Sequence, residues 1–285
     1  MTTTIHLAAS GLDIVVGAAT DVGLKRPHNE DALLVLPAVY LVADGMGGYE
    51  SGDEASRAIV EAFQRVAEGR ESLTLEELTA ALDLADEGVA EVASRTSRGA
   101  GSTVAGAAVV VQRGTPHWVV FNVGDSRVYR HAGQALEQIT IDHSLGQELY
   151  QAGRITAAEF AVFKERNVIT RAIGAADATA DSWMMPVRNG ERLLLCSDGL
   201  TGEVPDRTIL EVLSRDATPG AAALELIELA KRAGGRDNIS VIVIDVLTGG
   251  LDFDVDEMTE GAALARADEV TDESTAPIGV VGSPS

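Results

Sequence analysis

Four aspartates stand where an apolar, strand-like run meets glycine. Asp44 follows Tyr40-Leu41-Val42-Ala43 and precedes Gly45; Asp125 follows Gly124 at the end of the run His117 to Val123. Asp198 lies between Ser197 and Gly199 after Leu193-Leu194-Leu195-Cys196, and Asp237 follows Gly234-Gly235-Arg236 ahead of the run Ile239 to Val246. Aspartate is depleted inside strands and costly to bury unpaired, so a carboxylate at such a place is expected to face a cation or a cap. Neighbouring glycine lets backbone groups come close to whatever sits there. Each site alone has an ordinary alternative, a strand running into an Asp-Gly turn, with Ser51 or Asp53 capping the helix after Asp44. Repetition over almost two hundred residues is the signal. If these strand ends share one pole of a layered fold, four carboxylates converge and repel one another unless multivalent cations sit among them. Oxygen-only ligation favours hard ions, Mg²⁺ or Mn²⁺, and none of the five histidines has zinc-like spacing to another or to Cys196. Two such ions about 4 Å apart can generate hydroxide from bridging water and hold a phosphoryl group for in-line attack.

The elements that must position these groups follow from hydrophobic period and turn chemistry. Ile14 to Thr20 reads as a strand, leading through a polar connection that holds Arg26, Glu30 and Asp31 into a hairpin of Ala32 to Leu36 and the strand ending at Asp44. Helical spacing runs through Ala55, Ala58, Ile59, Ala62, Phe63 and Val66, and a second helix starts from the capping-box form Thr74-Leu75-Glu76-Glu77. Ser102 to Gln112 and His117 to Val123 read as a hairpin across Arg113 to Pro116, with Arg127 to Arg130 a short strand beyond it. A polar helical stretch opens at Asp142-His143-Ser144 and runs to about Asn167. His143 has the chemistry of a ligand or an acid, and equally that of a helix-start histidine with neither duty. Ser182 to Val187 and Glu191 to Cys196 read as a further hairpin across Arg188-Asn189-Gly190. Helices are expected over Pro205 to Ser214 and over Pro219 to Arg232, the latter with Thr218 as N-cap and Gly234 as stop. Cys196 reads as a small buried hydrophobe.

Composition excludes several classes. With 285 residues, 46% of them hydrophobic, the chain can bury a large core, and its one cysteine excludes an internal disulfide framework. The longest apolar stretch, Val104 to Val111, is too short to cross a bilayer, and no basic-then-apolar leader opens the chain. A cytoplasmic, monomeric protein without a membrane partner is therefore expected. Of the net charge of -22, the segment Gly249 to Ser285 carries nine acidic residues against one arginine, which leaves -14 for the rest. A surface this acidic argues against nucleic acid as a partner, and an anionic substrate would need positive charge concentrated locally. The 249–285 segment itself lacks strand or steady helix period and reads as a disordered tail.

Six blocks in order resemble one family, the metal-dependent Ser/Thr phosphatases of the PP2C (PPM) type in their bacterial form. They are Arg26-Pro27-His28-Asn29-Glu30-Asp31, Asp44-Gly45-Met46-Gly47-Gly48, Gly101-Ser102-Thr103, Gly124-Asp125-Ser126-Arg127, Ser197-Asp198-Gly199-Leu200 and Gly235-Arg236-Asp237-Asn238. Two further stretches, Asp142-His143-Ser144-Leu145 and Ile169-Thr170-Arg171-Ala172-Ile173-Gly174, extend the match. The resemblance covers about residues 14 to 248, with residues 1–13 as an N-terminal extension. It implies an α+β fold, an α-β-β-α sandwich of two mostly antiparallel sheets flanked by helix pairs, with a flap over about 143–167.

By the same resemblance, Asp44 bridges two Mn²⁺ or Mg²⁺ ions, the Gly45 carbonyl binds one, and Asp198 and Asp237 complete the first ion's ligands. Asp125 joins Asp198 around a weaker third ion, Glu30 and Asp31 act through bound waters, and Asn238 stands behind Asp237. Arg26 grips the phosphate. The implied reaction is hydrolysis of phosphoserine or phosphothreonine in proteins by metal-bridging hydroxide, without a phosphoenzyme. The partners implied are phosphorylated substrates of a Ser/Thr kinase and the kinase itself. Met46 stands where eukaryotic relatives often carry histidine, so the general acid is unassigned, with His143 one candidate. Gly146, where relatives often carry a larger apolar residue, is expected to loosen the flap hinge. The alternative reading is a catalytically silent protein that binds phosphoproteins through the same fold.

Overall fold

The computed structural model describes residues 2–47, 51–97 and 99–253. Gly48 of the glycine-rich turn and the acidic segment from 254 onward, which carries nearly all of the expected tail, lie outside the described residues.

Two antiparallel sheets face each other. The first runs in the order β1 (Thr2–Leu7), β2 (Leu12–Asp21), β12 (Ile239–Thr248), β11 (Arg192–Cys196), β8 (Arg127–Ala132), β9 (Ala135–Gln138). The second runs β10 (Asp181–Pro186), β7 (Thr115–Val123), β6 (Val104–Gln112), β4 (Val39–Met46), β3 (Asp31–Leu36), with the short β5 (Gly101–Ser102) paired to the end of β4. Helices α1 (Gly52–Ala67) and α2 (Leu75–Ser94) cover the second sheet; α6 (Asp206–Leu213) and α7 (Pro219–Ala233) cover the first. Three short helices complete the chain, α3 (Leu145–Gln151) and α4 (Ala157–Val162) in the flap and α5 (Asp198–Thr201) after β11.

Strand alternation explains the layering. In β4, Tyr40 and Val42 point to the facing sheet while Leu41 and Ala43 point to α1 and α2. In β12, Ile242 and Ile244 take the inner face, whereas Val241 and Val243 pack under α6 and α7. Because both faces of these strands are covered, their sequences are apolar throughout. Phe63 of α1 stacks on Phe121 of β7, ring centroids 5.2 Å apart, at the helix–sheet boundary. Both sequence-predicted N-caps form: Thr74 makes the full capping box with Glu77, and Thr218 accepts from the Ala221 amide ahead of Pro219.

The structure corrects two expectations. Residues ahead of Ile14, read as an extension, supply the edge strand β1, which pairs from Thr2 against Gly17 to Leu7 against Leu12. The β-branched run Thr2-Thr3-Thr4-Ile5 suits that edge. The second correction is topological. β10 and β11 are not a hairpin: β10 pairs with β7 in one sheet and β11 with β12 and β8 in the other. Residues 187–191 cross between the layers, and Asn189 is engaged not by a hairpin partner but by Leu251 and Asp252. Buried Glu191 accepts from Trp118 Nε1 and the Arg188 amide, both at 2.9 Å, which ties the crossing to both sheets.

Candidate metal and phosphate site

All four aspartates arrive at one pole of the sandwich. Asp44 lies near the end of β4 and faces Asp31 directly across the β3–β4 ladder. Asp125 sits in the turn from β7 to β8, Asp198 at the first position of α5, and Asp237 two residues ahead of β12. Two glycines permit the close approach this requires. A Cβ on Gly45 would fall 1.9 Å from the Gly52 carbonyl oxygen at the start of α1, and one on Gly199 would fall 1.9 Å from the Asn238 carbonyl oxygen.

Backbone anchors fix the carboxylates. The Asp44 carbonyl accepts from the Thr103 amide and from Ser102 Oγ, each at 2.9 Å, and its amide donates to Thr103 Oγ1 at 3.3 Å. Ser197 Oγ donates to Asp31 Oδ2 at 2.9 Å and accepts from the Ser240 amide at 3.0 Å, joining the two sheets behind the site. Asn238 organises the loop before β3: its Oδ1 accepts from the Glu30 amide at 2.9 Å, and its Nδ2 donates to the carbonyls of Val22 and His28. The Glu30 carbonyl accepts from the Gly45 amide and from Ser56 Oγ of α1. Asp237 Oδ1 accepts from the Asn238 amide at 2.8 Å.

The electrostatics of this pole are those of crowded, sequestered acids. Asp44 is still reached by solvent through the cleft, yet protein surrounds it; burial first, then Asp31, Asp198, Asp125 and Asp237, push its carboxyl well above the usual range. Burial and Asp198 raise Asp125, and burial and Asp237 raise Asp198. Burial likewise lifts Asp31, to about 7. One oxygen each of Asp31, Asp125 and Asp198 is buried without a hydrogen-bond partner among the described residues. Buried orphan carboxylate oxygens beside like charges fit a cation-binding role, and the all-oxygen donor set suits Mg²⁺ or Mn²⁺. Among the described residues, no three acidic, imidazole or thiol groups stand in a finished ligand cage. Positive charge comes instead from Arg26, whose Nη2 donates to Asp237 Oδ2 at 2.7 Å and whose guanidinium Asp237 thereby holds firmly charged.

A titration consequence follows for the metal-free protein. A folded-state value near 7 for Asp31 lies above that of an unfolded aspartate, so this group's contribution is fully present below about pH 4 and lost as pH rises towards about pH 7. In EDTA, the wild-type protein is expected to lose thermal stability relative to Asp31→Asn between about pH 4 and about pH 7. Thermal unfolding of both proteins across that range checks it; an unchanged difference contradicts it.

The cleft, about 910 Å³, is lined by Arg26, Glu30, Asp44, Gly45, Asp198, Asp237 and Asn238 among the site residues expected from sequence. Asp31 and Asp125 lie behind that lining. His28, Asp53 and Glu54 also line it, and sequence reading gave them no cleft role; a short loop before β3 and the exposed first turn of α1 carry them, where charged residues signal nothing by themselves. His143 is turned elsewhere: its two ring nitrogens meet the Gly124 amide and Asp181, at 3.1 Å each. Cys196 is buried beneath the outer helices, and burial pushes its thiol up to about 12. The flap over about 143–167 rises beside the cleft from a base where Ser144 bridges to Ile169, a cleft-lining residue. Gly146 serves that base differently from expectation. Its amide donates to the Arg166 carbonyl, and a Cβ there would fall 2.6 Å from Arg166 Cα, so it lets the two limbs close on each other.

Comparison with known proteins agrees with this geometry. The family model described as Protein phosphatase 2C matches residues 27–225. The serine/threonine protein phosphatase PstP of Mycobacterium tuberculosis is 35% identical over 269 residues, covering 91% of this chain and 50% of that protein. The serine/threonine phosphatase stp of Listeria monocytogenes is 34% identical over 238 residues, covering 79% of this chain and 93% of the relative. The chain thus spans about half the length of the mycobacterial relative. The crystal structure of M. tuberculosis PstP/Ppp superposes with a TM-score of 0.76 at 33% identity, covering 82% of this chain and 99% of the other. The catalytic domain of PstP in complex with two manganese ions superposes with a TM-score of 0.74 at 33% identity, covering 83% and 100%.

Proposed function

The chain belongs to the protein phosphatase 2C family, and from that membership we propose that it is a metal-dependent protein phosphatase that hydrolyses phosphoserine and phosphothreonine. The observation that carries this reading is the gathering of buried, mutually repelling carboxylates with orphan oxygens at the foot of an open cleft beside one exposed arginine. Asp44, Asp198 and Asp237, with the Gly45 carbonyl, would hold two Mn²⁺ or Mg²⁺ ions; Asp125 with Asp198 would hold a weaker third. Bound divalent ions lower the pKa of water for attack on phosphorus and draw charge from the phosphoryl oxygens.

The chain's own groups do the rest. Asp44 and Asp31, opposed on adjacent strands, set the spacing of the anionic floor. Arg26 offers its planar fork to the phosphate once Asp237 is otherwise neutralised. Asn238 holds the Val22–Glu30 loop in place so that Arg26 stands over Asp237. Hydrolysis is direct in this reading: no phosphoenzyme is needed, and the one thiol, buried and strongly protonated, offers no nucleophile. His143 spends both ring nitrogens away from the cleft and is not the proton donor. The substrates are phosphoproteins, those of a Ser/Thr kinase and the kinase itself.

The test is phosphate release from phosphothreonine and phosphotyrosine peptides with Mn²⁺, with Mg²⁺ and with EDTA. Metal-dependent release from phosphothreonine that EDTA abolishes is the expected result. Folded protein that binds the phosphopeptide yet releases nothing with either metal would replace this reading with a silent phosphoprotein binder.

A further inference from the structure

Asp198 and Asp237 reach the site from two separate elements, and neither element holds its own shape. Asp198 opens α5, a single turn of four residues whose Gly202 amide donates back to the Asp198 carbonyl at 2.7 Å. A helix this short is not stable by itself. Asp237 lies in the short connection from α7 to β12, which begins Gly234-Gly235, and Gly235 takes a left-handed φ of 53°. Paired glycines leave such a connection many conformations, so its geometry has to be imposed from outside.

Glu203 and Arg236 impose it. Glu203 follows α5, and Arg236 directly precedes Asp237. Glu203 Oε1 accepts from the Arg236 amide at 3.1 Å and from Arg236 Nε at 2.7 Å, while its Oε2 accepts from Nη2 at 3.1 Å. Nη2 also donates to the Gly202 carbonyl at 3.3 Å, so the arginine grips the end of α5 as well. The Glu203 side chain is only 5% exposed, and Arg236 holds its carboxyl below the usual range, so loss of the arginine strands a sequestered charge. At the opposite end of α5, Gly199 lies against the same connection: a Cβ there would fall 1.9 Å from the Asn238 carbonyl oxygen and 3.4 Å from Asp237 Cβ. The outer side is closed by the Leu24 amide, which donates to the Gly235 carbonyl at 2.7 Å. The short helix and the connection therefore meet at two points, one at each end of α5. One point alone would let α5 pivot; two fix the separation of Asp198 and Asp237.

We propose that Glu203 and Arg236 are positioning residues, whose ion pair brackets α5 to the connection before β12 and so sets the spacing of the Asp198 and Asp237 carboxylates around the divalent ion they share. The inference rests on the reading of those two aspartates as ligands of one ion. Neither Glu203 nor Arg236 is among the residues that line the cleft. Charge and position make opposite demands of Arg236. By charge alone, removing a cation near a cation site tightens metal binding. Through position, removing it loosens binding, and groups behind metal ligands tune affinity by about 10- to 100-fold.

The experiment counts Mn²⁺ bound to the full chain by electron paramagnetic resonance, with thermal unfolding in EDTA beside it. In Arg236→Ala and in Glu203→Gln alike, one of the two tight ions loosens by about tenfold or more, and the other keeps its wild-type affinity. The double variant binds as weakly as either single, because both residues act through one contact. Arg236→Lys keeps the charge and loses the fork, so it falls between Arg236→Ala and wild type; it also gives the answer if Arg236→Ala fails to fold, since only a change of position can then loosen the site. Tighter binding in Arg236→Ala overturns the proposal, as does unchanged affinity for both tight ions in Arg236→Lys and Glu203→Gln. Asp237→Ala separates the premises. If it leaves both tight ions in place, the ligand reading fails; if it removes one while the bracket variants keep both at wild-type affinity, only the bracket fails.

Discussion

Asp44→Asn lowers turnover of a phosphothreonine peptide by about 10³-fold or more and at the same time makes the metal-free protein more stable. The loss follows from replacing the carboxylate that all other acids of the pole surround. Metal-assisted charge stabilisation is worth several kcal/mol, and each 1.36 kcal/mol is about tenfold in rate. The gain has the same origin. Without cations, Asp44 is sequestered among Asp31, Asp198, Asp125 and Asp237, and a neutral amide of the same shape relieves that repulsion. About 1 kcal/mol of relief corresponds to a rise in Tm of about 2–4 °C for a domain of this size. Opposite signs are diagnostic, because a packing defect would lower both quantities. Steady-state phosphate release with Mn²⁺ and thermal unfolding in EDTA read the two halves, and a fall in both would assign Asp44 to the core of the fold instead.

Arg26→Ala should bind Mn²⁺ more tightly than wild type yet turn over more slowly. In the structure its guanidinium stands on Asp237, 2.7 Å away, with 48% of the arginine side chain exposed. An exposed pair of this kind is worth up to about 1 kcal/mol, so removing the competitor strengthens metal binding by up to about fivefold. Loss of charge-assisted bonds to the phosphate costs about 1.5–3 kcal/mol, or about 10- to 100-fold in kcat/KM. Arg26→Lys retains the charge without the fork and falls between the two. Calorimetric Mn²⁺ titration beside peptide kinetics checks both directions. Weaker metal binding in Arg26→Ala would mean that the arginine supports the ion site rather than competing for it.

Why the site was legible while parts of the fold were not comes down to what each signal encodes. An aspartate at the end of an apolar run is locally costly, and four such costs in one chain need a common explanation, so Asp44, Asp125, Asp198 and Asp237 are legible as a set although none is decisive alone. The caps at Thr74 and Thr218 were equally legible, since their side chains act within a single turn. Strand pairing is not local. Asn189-Gly190 is the strongest short hairpin signal a sequence can carry, yet Asn189 is bonded to Leu251 and Asp252, and strands covered on both faces give no period that says which sheet they join. The edge strand β1 was missed because its residues are largely exposed and its only apolar anchors are Ile5 and Leu7. Likewise, the bracket of Glu203 on Arg236 joins residues 33 positions apart, visible only once both loops are folded. Gly146 shows the reverse error: a small residue read as a loose hinge is in fact the condition for a tight one.

The most direct test of the central claim, that these carboxylates are a divalent-cation site, is anomalous diffraction at the manganese edge from crystals grown with Mn²⁺. Two strong peaks within about 2.0–2.3 Å of oxygens of Asp44, Asp198, Asp237 and the Gly45 carbonyl, with Arg26 displaced from Asp237, are the expected result. No peak at that pole at saturating Mn²⁺, with Arg26 still bonded to Asp237, would contradict it.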